Sequence, residues 1–160
     1  MTVVLRDARR GDVADLLRLI RDLARYEKAE DQVKADAQQL AATLFGEGAT
    51  AHAMVAEQDG LIVGLAIYFF NYSTWQGRNG LYLEDLFVEP EQRGAGIGKA
   101  LLARLAALAV ERDCGRFEWS VLDWNTPAID FYESLGARPQ SEWVRYRLEG
   151  DALKALATTA

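Results

Sequence analysis

A chain of 160 residues with a formal net charge of −6 and a pI near 4.9 lacks the clustered Lys and Arg that grip a phosphate backbone, which sets nucleic acid aside as a partner. Its residues are 50% apolar and 26% charged, the balance of a chain that folds around a core, and the length suits a single domain over residues 1–160. The longest apolar run, Leu61 to Phe70, contains Gly64 and falls far short of the roughly 20 residues that span a bilayer, while Arg6 and Asp7 interrupt the start too soon for an export signal, so neither a membrane nor secretion is expected.

Thr2 to Arg6 predicts a strand, and Asp12 stands where a helix cap is needed before Val13, Leu16, Leu17, Ile20 and Leu23 at helical spacing. The charged stretch Tyr26 to Asp31 breaks that period; a second helix runs through Leu40, Leu44 and Phe45 until Gly46 and Gly48 stop it. Thr50 to Glu57 and Leu61 to Asn71 read as an antiparallel hairpin turned by Asp59-Gly60, and Gly80 to Val88 as the next strand. Gly96 to Arg112 is Ala- and Leu-rich and helical, and Arg116 to Leu122 returns to alternation through Phe117, Trp119 and Val121. Asn125-Thr126-Pro127 opens another helix that Gly136 ends, and a last strand is expected near Trp143 to Leu148. The sum is an α/β domain with a central mixed, twisted β-sheet flanked by helices.

Val88 to Lys99 joins a strand to a helix start through Gly94, Gly96 and Gly98. Glycines let backbone amides approach a ligand, and a helix N-terminus adds partial positive charge, so the turn suits a phosphate or pyrophosphate, with Arg93 and Lys99 as nearby cations. It is not a Walker A loop, which needs Gly where Arg93 stands and Ser or Thr where Ala100 stands. Nor is it the dinucleotide fingerprint, whose third Gly falls on Lys99.

Arg93-Gly94-Ala95-Gly96-Ile97-Gly98 resembles the pyrophosphate loop of GNAT acetyltransferases. Leu81 to Val88 before it, Asp123 to Tyr132 after it and Ala24-Arg25-Tyr26-Glu27 near the start are similar to the diamine (spermidine/spermine) and thialysine N-acetyltransferase branch, so the likeness spans almost the whole chain. The resemblance implies a GNAT fold and acetyl-CoA as co-substrate, held by Leu86, Phe87 and Val88 of the strand, by the turn from Arg93 to Lys99, and by Asn125 and Tyr132. It also implies a homodimer.

Glu84 and Asp85 interrupt an apolar strand, and buried carboxylates are paired, hydrogen-bonded or functional; otherwise the strand is half exposed and the acids are solvated. Alternation sends neighbouring side chains to opposite faces unless a bulge intervenes. An aliphatic amine with a pKa of about 10.4 must lose a proton before it can attack a thioester. Glu84 is expected to accept or relay that proton, with Asp85 in support, and the resemblance implies the same.

Tyr132 follows Asn125 by two helical turns and falls on nearly the same face; spacing alone also fits a capping Asn and a packed aromatic. The resemblance makes Tyr132 the general acid to the departing CoA thiolate and Asn125 a contact of the coenzyme arm. The oxyanion is expected on backbone amides beside Phe87 and Val88. The resemblance further implies substrate contacts from Tyr26 and Glu27, with Trp75, Glu142 and Trp143 completing an acidic and aromatic site for an amine.

Ser73 departs from the polyamine pattern, which has an acidic residue two places before the loop Trp, and this favours a shorter, thialysine-like amine over spermidine or spermine. Cys114 and His52 are the sole Cys and His, so no intrachain disulfide and no metal site of the usual ligands is expected, direct transfer is preferred to a cysteine intermediate, and the expected setting is the cytoplasm. A protein or peptide amine acetyltransferase and a non-catalytic acyl-CoA-binding module remain as alternatives.

Overall fold

Asp59 and Gly60 both take positive φ, 52° and 82°, the twist that joins two strands through a two-residue turn. In the computed structural model, which describes residues 2–160, this turn locks β2 (His52–Gln58) to β3 (Leu61–Ser73). The sheet runs β1 (Val3–Asp7), β2, β3, β4 (Arg78–Val88), β5 (Phe117–Trp119); its first four strands pair antiparallel and β5 joins β4 in parallel, so it is mixed. The helices of this part are α1 (Val13–Tyr26), α2 (Ala37–Phe45) and α3 (Ile97–Glu111).

Strand alternation sorts the core into two faces. Ala53 and Val55 of β2, Leu65 and Ile67 of β3 and Phe87 of β4 pack with Leu16 and Leu19 of α1, flanked by Leu44 and Phe45 of α2. The helix α3 lies on β2, β3 and β4 and buries Ile97, Leu101, Leu102, Leu105 and Ala109. Asp36 caps α2 by accepting from the Gln39 amide at 2.8 Å, and Lys28 at φ 61° follows the end of α1.

Asp12 occupies the N-cap position of α1 but caps nothing there. Its carboxylate takes two bonds from Arg6, at 2.8 and 3.1 Å, and one from the Arg9 amide at 2.7 Å, while Arg6 also reaches Glu57 at 2.8 Å. The Arg6 hydrogen bonds hold Asp12 below the usual carboxylate range despite its burial. Asp12→Ala is expected to lower urea-unfolding stability at pH 7 by about 2 kcal/mol, because it removes two charge-assisted bonds from a partly buried guanidinium and leaves Arg6 paired with Glu57 alone. The wild-type contribution is present above the ordinary carboxylate pKa and is lost as pH falls through the depressed folded value, so the gap between the two proteins should close at low pH.

Residues up to Leu122 form one compact unit and Asp123–Ala160 another. The second holds α4 (Thr126–Ser134) and α5 (Gly150–Ala157), with Gly136 at φ 91° after α4. The strand expected near Trp143 to Leu148 is absent: residues 143–149 have no regular structure and are exposed. A strand needs a ladder partner for its backbone, and this unit contains only helices. The strand expected from Arg116 to Leu122 is likewise cut to Phe117–Trp119. Among the described residues no helix is long and apolar enough to cross a membrane.

Candidate active site

On β3, Ile67 pairs with Asp85 and Tyr68 with Leu83, which leaves Glu84 as the extra residue of a β-bulge in β4. The insertion resets strand parity: Leu83 follows the face of Tyr68, whereas Asp85 follows Ile67, a core residue under α1. Asp85 is thereby carried toward the end of α1, where Glu27 closes the helix and acts on it electrostatically. Glu84 is exposed and Asp85 half-buried. Removal from water, with the Glu84 and Glu27 charges adding to it, pushes Asp85 up from 3.8 to about 6, and burial also raises Glu27. A carboxylate in that range can take up and release a proton near neutral pH.

The parallel ladder covers only Leu81 to Leu83 against Phe117 to Trp119 and stops where the bulge begins, since a bulged strand bends away from its neighbour. Beyond it, Glu84 to Val88 have no strand beside them on the β5 side among the described residues. Backbone groups on that edge have no ladder partner among the described residues, the condition for amides that would hold a ligand or an oxyanion.

The chain then turns through Gly94 and Gly96, at φ 87° and 80°, values that a side chain disfavours. Gly96 is the N-cap of α3 and has no side chain with which to cap the first-turn amides. Gly94, Ala95 and Gly96 are exposed, and Lys99 lies exposed in the first turn of α3. These groups fit a diphosphate, which would take the free amides as hydrogen-bond donors. Arg93 has a bracing role: its Nε donates to the Val88 carbonyl at 2.9 Å, and its guanidinium sits 5.5 Å from the Tyr26 ring centroid and 5.2 Å from that of Phe87.

Tyr26, Glu27, Glu84, Asp85, Phe87, Val88 and Arg93 are thus gathered by α1, β4 and the turn. Leu86, between Asp85 and Phe87, is half-buried on the same stretch, and Ile97 and Gly98 begin α3, Ile97 buried. Trp75 is not part of this gathering: it is 87% exposed in the β3–β4 turn, roughly 20 Å along β4 from Glu84 at about 3.3 Å per residue. Asn125, Tyr132, Glu142 and Trp143 belong to the second unit. Asn125 is buried and caps α4 on the Ala128 amide at 3.4 Å, Tyr132 is half-buried with its ring 5.7 Å from that of Phe131, and Glu142 and Trp143 are exposed. Two features were not foreseen from the sequence: the bulge at Glu84, and the stacking of Arg93 on Tyr26. The only prior signal was the pair of acids within an apolar strand.

The family model of the GNAT acetyltransferases matches residues 14–137. The chain belongs to this family. It is a GNAT acetyltransferase, an acetyl-CoA-dependent enzyme that acetylates an amine. It is 45% identical over 167 residues to the thialysine N-epsilon-acetyltransferase of Sus scrofa, with 98% of each chain covered. Against the Caenorhabditis elegans protein of that name it is 32% identical over 145 residues, with 89% of each covered. Among solved structures, an integron cassette protein from the mobile metagenome of V. cholerae superposes with a TM-score of 0.82 at 32% identity, covering 98% of each chain.

Proposed function

We propose that this GNAT acetyltransferase acetylates the primary amine of a small molecule, a thialysine-like amino acid or a short diamine. The observation that carries this reading is the carboxylate group of Glu27, Glu84 and Asp85 around the bulge, with Asp85 raised to about 6. It offers counter-charge for an ammonium and an acceptor for its proton. Full-length similarity to thialysine N-epsilon-acetyltransferases supports the same choice, as does Ser73 in place of an acid in the β3–β4 region.

In this scheme Glu84 holds the ammonium, and the proton leaves to Asp85, directly or through water. For an amine near 10.4 that transfer is uphill by roughly 6 kcal/mol, which fits within the barrier of about 15 kcal/mol of an ordinary turnover. The freed amine attacks the thioester carbonyl, amides beside Phe87 and Val88 receive the oxyanion, and collapse expels the CoA thiolate, which takes a proton from Tyr132 while the nitrogen's second proton restores the phenol, directly or through water. The turn from Arg93 to Lys99 holds the diphosphate, Leu86 and Asn125 contact the pantetheine arm, and Tyr26, Trp75, Glu142 and Trp143 contribute to amine binding. We take residues 1–160 as one GNAT domain acting as a cytoplasmic homodimer. Exposure of 87% at Trp75 and 68% at Trp143 supports a subunit interface that brings such residues to a site, and a lone cysteine suits a reducing compartment.

The test is an acetylation screen over thialysine, lysine, ornithine, diamines, polyamines and peptides, followed by free-thiol release. Thialysine or a short diamine is expected to have the highest kcat/KM; preference for peptides would overturn the small-molecule assignment. Tyr132→Phe is expected to lower kcat by about a hundred-fold with acetyl-CoA affinity within two-fold of wild type, and an unchanged kcat would remove the acid role.

A further inference from the structure

The opposite end of α3 borders a cleft outside the proposed acetyl-transfer site. Arg104, Leu108 and Arg112, four residues apart, place three side chains on one stripe of the helix. Facing them are Asp7 of β1, His52 and Met54 of β2, and Tyr68 and Phe70 of β3, around a cavity of about 140 Å³. Register explains the grouping, since His52 pairs with Tyr68 and Asp7 with Met54, and β3 alternation puts Phe70 beside Tyr68. Arg112 lies at the C-terminal cap of α3, about 20 Å from the glycine turn at a rise of about 1.5 Å per residue.

The chemistry of the lining is one-sided. Arg112 rests over the Phe70 ring at 5.5 Å, yet among the described residues neither its guanidinium nor that of Arg104 has a hydrogen bond or ion pair. The His52 ring lies tilted against Tyr68 at 5.3 Å and edge-on to Phe70 at 5.9 Å, and among the described residues neither His52 nor the Tyr68 hydroxyl has a side-chain hydrogen-bond partner. Burial pushes the Tyr68 phenol up, so it stays a donor. Asp7 is the single acid on the rim, which leaves the two arginines one charge in excess. Met54, Phe70 and Leu108 give an apolar floor.

We propose that this cleft binds a small organic monocarboxylate, its carboxylate between Arg104 and Arg112 and its apolar body on Met54 and Phe70. The excess charge calls for one negative charge, and guanidinium forks match carboxylate geometry. The volume is close to the roughly 150 Å³ of an apolar cavity that accepts benzene, which limits the ligand to about that size. An apolar floor disfavours a bare inorganic anion, which would leave the half-buried Phe70 and Leu108 facing water.

Titration of the full-length protein with benzoate and with butyrate, followed by amide and aromatic NMR shifts, is the test. Saturable shifts at His52, Tyr68 and Phe70 with millimolar or tighter Kd are expected, with benzamide, the neutral isostere, at least ten-fold weaker. Arg104→Gln and Arg112→Gln should each weaken benzoate at least five-fold and leave coenzyme A affinity unchanged, which also reports that the variants are folded. Absence of saturable shifts, equal binding of benzamide, tighter binding of inorganic phosphate than of benzoate, or undiminished affinity in both variants would overturn the proposal.

Discussion

Asp85→Asn is expected to lower kcat/KM for the amine by about a hundred- to a thousand-fold and, at the same time, to make the protein more stable at pH 7. The first effect follows from losing the carboxylate that burial, with the Glu84 and Glu27 charges adding to it, raises to about 6. The second follows from proton linkage. The folded chain binds the Asp85 proton more tightly than the unfolded chain, so stability falls as pH rises from about 3.8 to about 6 and remains lower above that range. At about 1.36 kcal/mol per tenfold change in proton affinity, the rise from 3.8 to about 6 corresponds to up to about 3 kcal/mol, which a neutral amide would recover in part. Chemical denaturation of both proteins at pH 4.5 and pH 7.5 measures it: the variant should gain at pH 7.5 and gain less at pH 4.5. Wild-type kcat/KM should climb through pH 6 as Asp85 ionises, and the variant should lack that limb. Glu84→Gln provides the contrast, since loss of counter-charge to the ammonium is expected to raise KM for the amine more than it lowers kcat. An Asp85→Asn enzyme with wild-type kcat/KM would return the proton-accepting role to Glu84.

How much of this was legible in the sequence depends on how local each cause is. The Asp59-Gly60 hairpin was readable because positive φ at both residues is a property of that dipeptide and its flanking runs. The turn from Arg93 to Lys99 was readable for the same reason, its glycines, cations and helix start being contiguous. Glu84 and Asp85 were visible as oddities in an apolar strand, but their different burial was not. The parity reset is fixed by the pairing of Ile67 and Tyr68 on another strand, and the charge that adds to burial at Asp85 comes from Glu27 at the end of α1. The alternation from Trp143 to Leu148 has the period of a strand, yet period describes a face and not a partner, and the segment stays irregular without a ladder. The short β5 has a similar origin, since its length is set by where β4 bends.

The glycine turn makes the second large prediction. Gly94→Val with Gly96→Val is expected to weaken coenzyme A binding at least a hundred-fold, while Tm and circular dichroism report a folded protein. Two effects act together. Both positions hold positive φ, and a β-branched residue there costs about 1–2 kcal/mol per site or shifts the backbone out of line. Neither position meets another atom within 4 Å of an added Cβ, so valine would not clash with the protein; it would fill the space through which a diphosphate reaches the amides. Loss of two charge-assisted hydrogen bonds, at about 1.5–3 kcal/mol each, is enough for the hundred-fold change, which is about 2.7 kcal/mol. Gly98→Ala is the internal control for backbone strain: φ there is not positive, and the added Cβ would sit 3.9 Å from Val88 Cγ2, an ordinary contact. It should raise Tm slightly, since alanine in the first turn of α3 is favoured over glycine by up to about 1 kcal/mol. Calorimetry with coenzyme A and with dephospho-coenzyme A separates the diphosphate from the 3′-phosphate: both should lose affinity equally in the double variant, because they share the diphosphate that the turn is proposed to grip. Undiminished affinity for both would show that the diphosphate is held elsewhere.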